Sequence, residues 1–247
     1  MTHRAYVDSA WSAQVKDGES RALPEAVAHR FARVLRLEEG AAVELFDGSG
    51  LVITARFAPP GAVSDPVRRE EQDLLPPLVI AQGMTKADKL DQVVQRACEL
   101  GGSSILLFNA ERSQVHLDDD RADKRRARLV RVAEDAARQS GRARVPTIEG
   151  PLPFDQLLAL VHAFAGCKAA GVLDAESTLS EALRAAGPLV AQGVLIVVGP
   201  EGGLSPKEVA RLAEAGVGGV RLGRHVLRTE TAGLVALAAV QAHLGAL

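Results

Sequence analysis

The chain has 247 residues, a formal net charge of -2 and two cysteines, Cys98 and Cys167. It is therefore long enough for two modest domains or one large one, has no disulfide framework or C-x-x-C metal motif, and is not basic overall, so nucleic-acid binding would rest on local patches of charge. The start, MTHRAYVDSAW, lacks a basic segment followed by an apolar core, and no apolar run approaches the ~18 residues of a membrane span, which predicts a cytoplasmic protein with no membrane partner.

From Met1 to Asp73 short apolar stretches alternate with turn formers. The stretch AVAHRFARVLRL places Val27, Phe31, Val34 and Leu35 at helical spacing and predicts one helix. AAVELF and LVITARF flank Asp47-Gly48-Ser49-Gly50, and alternation through Val43, Leu45, Leu51 and Ile53 predicts a hairpin whose turn tolerates positive φ. Pro59-Pro60-Gly61 and the polar run DPVRREEQDLLPP follow, either as a separator or with the last strand of this module. The expected organisation is a small, mainly β module over residues 1–73 and a second domain over 74–247.

Beyond Asp73 short apolar runs alternate with longer amphipathic ones. LVIAQG, ILLFNA, AAGVLD, VLIVVGP and GVRLG read as strands; DKLDQVVQRACEL, RARLVRVAEDAARQS, DQLLALVHAF, PKEVARLAEA and TAGLVALAAVQAHL read as helices. Strands that alternate with helices predict a parallel α/β sheet. One helix start is legible residue by residue: Ser205 caps, Pro206 takes the first helical position, Glu208 closes a capping box and Gly216 supplies the left-handed residue after the end.

Two loops at strand ends could carry chemistry. Gly199-Pro200-Glu201-Gly202-Gly203 follows the buried strand VLIVV, where ligands of open α/β sheets bind and where glycine lets backbone approach them. The second loop, Leu222 to Ala232, clusters polar groups without periodicity before the final apolar helix, and taken alone it also fits a solvated loop with a Thr cap. No G-x-x-x-x-G-K-[ST], G-x-G-x-x-G, H-E-x-x-H or G-x-S-x-G motif occurs, so nucleoside-triphosphate, dinucleotide, zinc-protease and nucleophile-elbow readings weaken. His29, His116, His162, His225 and His243 do not pair at ligand spacing, and no metal is expected.

GPEGGLSPKEV with LGRHVLRTETA resembles the paired signature of the RsmE family, uridine-N3 ribosomal RNA methyltransferases of the SPOUT superfamily. KADKLDQVVQRACELGGSSI, the AERS of Ala110 to Ser113, EDAARQSGRARVP and HRFARVLRLEEGAAVELFDGSG are similar to the same family, so nearly the whole chain is covered. Arg96, Leu204 and the absence of a proline from ILLFNA depart from its pattern.

The resemblance implies a PUA-like β-barrel domain followed by a SPOUT α/β domain with a C-terminal trefoil knot, a homodimer, and S-adenosylmethionine as cofactor. By that analogy Leu173, Gly199, Pro200, Glu201, Gly202, Leu222, Gly223, Leu227 and Thr229 hold the cofactor. Arg228 and Glu230 handle the uridine, the alternative being an ion pair at a helix start or dimer interface. Small-subunit ribosomal RNA, naked or in the assembled subunit, is the implied partner. Two basic patches are available to grip it: Arg21, Arg30, Arg33 and Arg36, and Arg121 to Arg131 with Arg138, Arg142 and Arg144, the latter blunted by Asp118, Asp119 and Asp120. A non-catalytic ribosome-assembly factor and a ribose 2′-O-methyltransferase are the competing readings.

Overall fold

Asp47 accepts hydrogen bonds from the backbone and side chain of Ser49, at 2.9 and 2.7 Å, and Gly48 and Gly50 take up the positive φ that reverses the chain. The computed structural model that carries this hairpin describes residues 2–115 and 119–247; His116 and Asp118 lie outside the described residues. The chain divides into two compact units, one running to Leu74 and regaining Glu134–Val145, the other Leu75–Ala133 with Pro146–Leu247.

In the first unit, β1 (His3–Tyr6), β2 (Arg21–Ala22), β3 (Ala42–Phe46), β4 (Leu51–Ala58) and β5 (Ala62–Glu70) form a sheet in the order β1-β3-β4-β5-β2. The β1 and β3 strands run parallel and the other pairs antiparallel. The polar stretch after Phe57 therefore holds a strand. A short helix α1 (Ser9–Ser12) and a second, α2 (Glu25–His29), pack their apolar residues with the sheet, and Phe31 meets Phe57 edge-on at 5.9 Å inside that core.

The helix expected over AVAHRFARVLRL is α only to His29. Arg30–Val34 is a π turn, with Leu35 N bonding Arg30 O at 2.8 Å. That change of pitch keeps Phe31 buried but rotates Val34 outward, 63% exposed, against the expectation that it joins the apolar face. Residues 134–145 return to this unit through Val145 N to Gly48 O and Gly50 N to Ala143 O.

The second unit is a six-stranded sheet, all parallel, of β6 (Leu78–Gly83), β7 (Ser104–Phe108), β8 (Thr147–Leu152), β9 (Cys167–Gly171), β10 (Val194–Val198) and β11 (Gly218–Val220), in the order β11-β9-β10-β6-β7-β8. Its helices are α3 (Ala87–Glu99), α4 (Asp119–Ser140, whose last residues fall in the first unit), α5 (Phe154–Ala163), α6 (Leu179–Ala186), α7 (Pro206–Glu214) and α8 (Thr229–His243). The central strands β6 and β10 are buried at every position, as their continuous apolar runs require. Each fully buried Leu, Ile or Val side chain there contributes about 1.5–3 kcal/mol relative to exposure.

Both ends of α7 follow the sequence. Ser205 and Glu208 form the capping box, Pro206 opens the helix, and Gly216 after it has φ +79°. A second box, Thr178 with Glu181, starts α6. Among the described residues no helix is long and apolar enough to cross a membrane, and no three His, Cys, Asp or Glu side chains gather as for a metal ion.

Candidate active site

The carboxyl ends of β9, β10 and β11 open into one cleft of about 1150 Å³, lined by the loops that follow those strands. This places the site where ligands of open parallel sheets bind, with a volume somewhat above the usual range of small-molecule sites.

The loop Gly199 to Leu204 is folded tightly on itself. A Cβ on Gly199 would lie 2.8 Å from the Gly203 carbonyl carbon and from Leu204 N, and one on Gly83, at the end of β6, 2.7 Å from Pro200 N. Only glycine permits these approaches. Gly203 has φ +70° and nothing within 4 Å of a hypothetical Cβ, so its backbone faces open space. A Cβ on Gly202 would instead strike Arg112, at 2.9 Å from Cβ and 3.1 Å from the carbonyl oxygen.

Arg112 belongs to the loop after β7, and its guanidinium donates to the carbonyls of Gly202 (3.2 Å) and Leu204 (3.4 Å). The buried Glu208 carboxylate ties the same two loops, accepting from Glu111 N at 2.8 Å and Ser205 N at 2.7 Å. Ser113 closes the AERS turn by bonding Ala110 in both directions.

The second loop reaches the cleft from β11. Arg221 exchanges backbone bonds with Ser177 and Leu179, and Leu222 packs on Gly171, 3.1 Å from its hypothetical Cβ. Leu222, Gly223 and Leu227 line the cleft, while Leu173 (68% exposed) and Val226 (75%) are apolar side chains left open at its lining.

Then α8 begins. Its N-cap, Arg228, offers no side-chain cap among the described residues. Thr229 Oγ1 donates to Gly199 O at 2.7 Å and accepts from Gln82 Nε2 at 2.8 Å, so its hydroxyl is spent on joining β6, β10 and α8.

Charged groups converge beside that helix start. Glu201 accepts from the buried Thr85 hydroxyl and, at 3.0 Å, from Lys89 Nζ; the same ammonium lies 3.6 Å from Glu230 Oε2. Glu230 is buried, and its other oxygen is 3.9 Å from Arg228, whose side chain is 83% exposed. Partial burial would raise the Glu201 carboxyl, but hydrogen bonds from Thr85, its own backbone and Lys89 outweigh it and hold it at about 2.

Residues 72–241 match the family model described as an RNA methyltransferase domain. The chain is 40% identical over 178 residues to the ribosomal RNA small subunit methyltransferase E of Bacillus subtilis, covering 69% of this chain and 68% of that one, and 35% identical over 213 residues to its Mycobacterium tuberculosis counterpart, covering 85% and 81%. The chain belongs to the ribosomal RNA small subunit methyltransferase E family. Solved structures agree: that of the family's protein from Neisseria gonorrhoeae bound to S-adenosyl methionine superposes with a TM-score of 0.83 at 27% identity, and a Legionella pneumophila methyltransferase in complex with S-adenosylmethionine with 0.85 at 27%, each covering 98% of both chains.

Of the residues expected to hold cofactor in this family member, all nine line the cleft, although Gly202 turns toward Arg112 and Thr229 toward the sheet. Lys89, Arg112, Thr85 and Gln82 went unassigned in the sequence. Lys89 and Arg112 lie in KADKLDQ and AERS, stretches similar to the family, and that similarity was their only signal. In the first unit Arg33 and Arg36 are exposed, Arg30 is half-buried, and Arg21 is held by Gln14 at 2.5 Å and lies 5.6 Å from the Trp11 ring.

Proposed function

We propose that this protein transfers the methyl group of S-adenosylmethionine to N3 of a uridine in 16S small-subunit ribosomal RNA, on the RNA itself or in the assembled subunit. The observation that carries the reading is the meeting of the glycine-rich cleft with Glu230 and Arg228 at the start of α8. The cleft fits the cofactor by its volume and by the open backbone at Gly203 and Gly223, where a hypothetical Cβ meets nothing nearer than 3.8 Å. The Gly199–Gly203 and Leu222–Leu227 segments with Leu173 would hold it.

When bound, S-adenosylmethionine supplies an electrophilic methyl group on a positive sulfonium. The chain's task is to make N3 of uracil a nucleophile, because N3 is a protonated imide. In this reading Glu230, buried next to the cleft-lining Thr229, takes that proton. Arg228, largely free of partners and exposed to the cleft, stabilises the negative charge left on the ring and its carbonyl oxygens. The first turn of α8 adds the positive end of a 15-residue helix to the same place.

Further features support the rest of the reading. The chain leaves the sheet edge at β11, runs beside Ser177–Leu179, and returns to the sheet centre where Thr229 bonds Gly199, the kind of path a trefoil knot takes. α8 is apolar on all faces yet leaves Val235 partly exposed, which favours a second copy covering it in a homodimer. The five-stranded sheet, with Arg33 and Arg36 exposed in the stretch that leads into β3, suits a PUA-like, RNA-binding module over residues 1–73, followed in sequence by a methyltransferase domain over 74–247.

Incubation of the purified protein with S-adenosylmethionine and small subunits or rRNA from a strain lacking the gene, followed by digestion to nucleosides and mass fragmentation, tests the proposal. 3-Methyluridine is expected. A methyl group on ribose, or cofactor binding without transfer, would refute it.

A further inference from the structure

Beside the cleft lies a chain of charges drawn from three segments: Thr85 to Glu201, Glu201 to Lys89, Lys89 to Glu230, Glu230 to Arg228. Its two ends differ. At one end Glu201 is locked, because a single carboxylate oxygen receives both the Thr85 hydroxyl and, at 3.0 Å, the Lys89 ammonium, and Thr85 is 1% exposed. At the other end Arg228 extends into the cleft and touches Glu230 only at 3.9 Å.

Glu230 itself has little else to hold it. Its Oε2 is buried with no hydrogen-bond partner among the described residues, and Lys89 Nζ at 3.6 Å is the cation nearest to that oxygen in the ion pairs described. A carboxylate that must meet a substrate proton gains from a fixed direction, since misplacement by about 1 Å can cost ~10²-fold in rate. Lys89 can supply that direction because Glu201 fixes it in turn: α3 carries the ammonium, and the loop after β10 pins it.

We propose that Lys89 is a positioning residue for the reaction: anchored on Glu201, it aims the Glu230 carboxylate into the cleft and frees Arg228 for the substrate. This rests on the reading that Glu230 takes the uridine proton. Glu201 thereby acquires a role distinct from backbone contact with a cofactor, and Thr85 one as its brace. Among the described residues the ion pairs of Glu230 are with Lys89 from α3 and Arg228 from its own helix start, with Glu201 behind Lys89; β6 contributes the neutral Gln82 near Thr229.

A double-mutant cycle on the full-length protein decides it. Lys89→Met, Lys89→Arg, Glu230→Gln and Lys89→Met/Glu230→Gln are compared by single-turnover methylation of rRNA, with S-adenosylmethionine affinity read by calorimetry. Lys89→Met is expected to lower the turnover rate by roughly ten- to a hundredfold, with cofactor affinity and RNA KM nearly unchanged, and Lys89→Arg to restore most of the rate. In the Glu230→Gln background the Lys89→Met change should cost nothing more. Additive losses, or a Lys89→Met protein with normal turnover, would overturn the role of Lys89 while leaving Glu230 standing. Glu230→Gln with normal turnover would overturn the reading beneath it, so the two failures are read from different variants.

Discussion

Thr229 Oγ1 donates a 2.7 Å hydrogen bond to the Gly199 carbonyl and thereby joins the first residue of α8 to the loop after β10. Gln82 Nε2, fully buried on β6, donates to the same hydroxyl at 2.8 Å. Thr229→Val keeps the shape and removes both bonds, leaving a buried carbonyl without its hydroxyl donor and an amide with one acceptor fewer. A loss of about 1–3 kcal/mol is expected from urea unfolding, with Thr229→Ser close to the parent. Equal midpoints for Val and Thr would show that the junction contributes no stability.

Much of the parallel sheet was legible because buried strands write continuous apolar runs: LVIAQG and VLIVV became β6 and β10. TIEGPL does not read as a strand because its Gly150 and Pro151 break the apolar pattern, yet it pairs with β7 as β8. Thr178 and Glu181 write a capping box into TLSEALRAAG, which forms the short helix α6. Residues 134–145 rejoin the first unit through backbone bonds at Gly48 and Gly50, and backbone pairing between distant segments leaves no local pattern. At the site, the two glycine-bearing loops could be found from their place after strands. The cluster of Thr85, Lys89, Glu201 and Glu230 could not, since its members meet only through the fold.

The Glu201 carboxyl lies near 2 in the folded protein, below the ordinary glutamate value. A depressed carboxylate contributes stability that is full above the unfolded-state value and is lost as pH falls through the folded one. The melting temperature of the parent should therefore decline between about pH 4.5 and about pH 2 more steeply than that of Glu201→Gln. Parallel curves over that window would mean that Thr85 and Lys89 do not hold the anion.

Gly202 tests how the cleft's loops lean on one another. Because a Cβ there would lie 2.9 Å from Arg112 Cβ and 3.1 Å from its backbone oxygen, shortening Arg112 cannot relieve the clash. Gly202→Val should push the loop after β7 away, break the Arg112 bonds to Gly202 and Leu204, and weaken S-adenosylmethionine binding without unfolding the sheet. Arg112→Ala, which removes those bonds with no clash, should weaken it less. Calorimetry giving parent affinity for Gly202→Val would separate this contact from the cofactor site.

Arg228 and Glu230 are only 3.9 Å apart, and the arginine side chain is largely in solvent, so their mutual attraction is screened and holds little of the fold together. If the two act on the reacting base, Arg228→Ala and Glu230→Gln should leave melting and cofactor affinity near the parent while turnover falls by ~10²-fold or more, the scale of a positioned base or charge-stabilising group. Alkaline pH then distinguishes them. Raising pH increases the fraction of uridine already deprotonated, which does part of the work lost with the Glu230 carboxylate, so Glu230→Gln should recover rate as pH rises. Arg228→Ala should recover less, because the anion, once formed, still lacks its guanidinium. Single-turnover methylation of saturating RNA across a pH series is the measurement. Normal turnover in both variants would return the pair to a mere helix-start ion pair, and equal recovery in both would remove the distinction between proton acceptor and charge stabiliser.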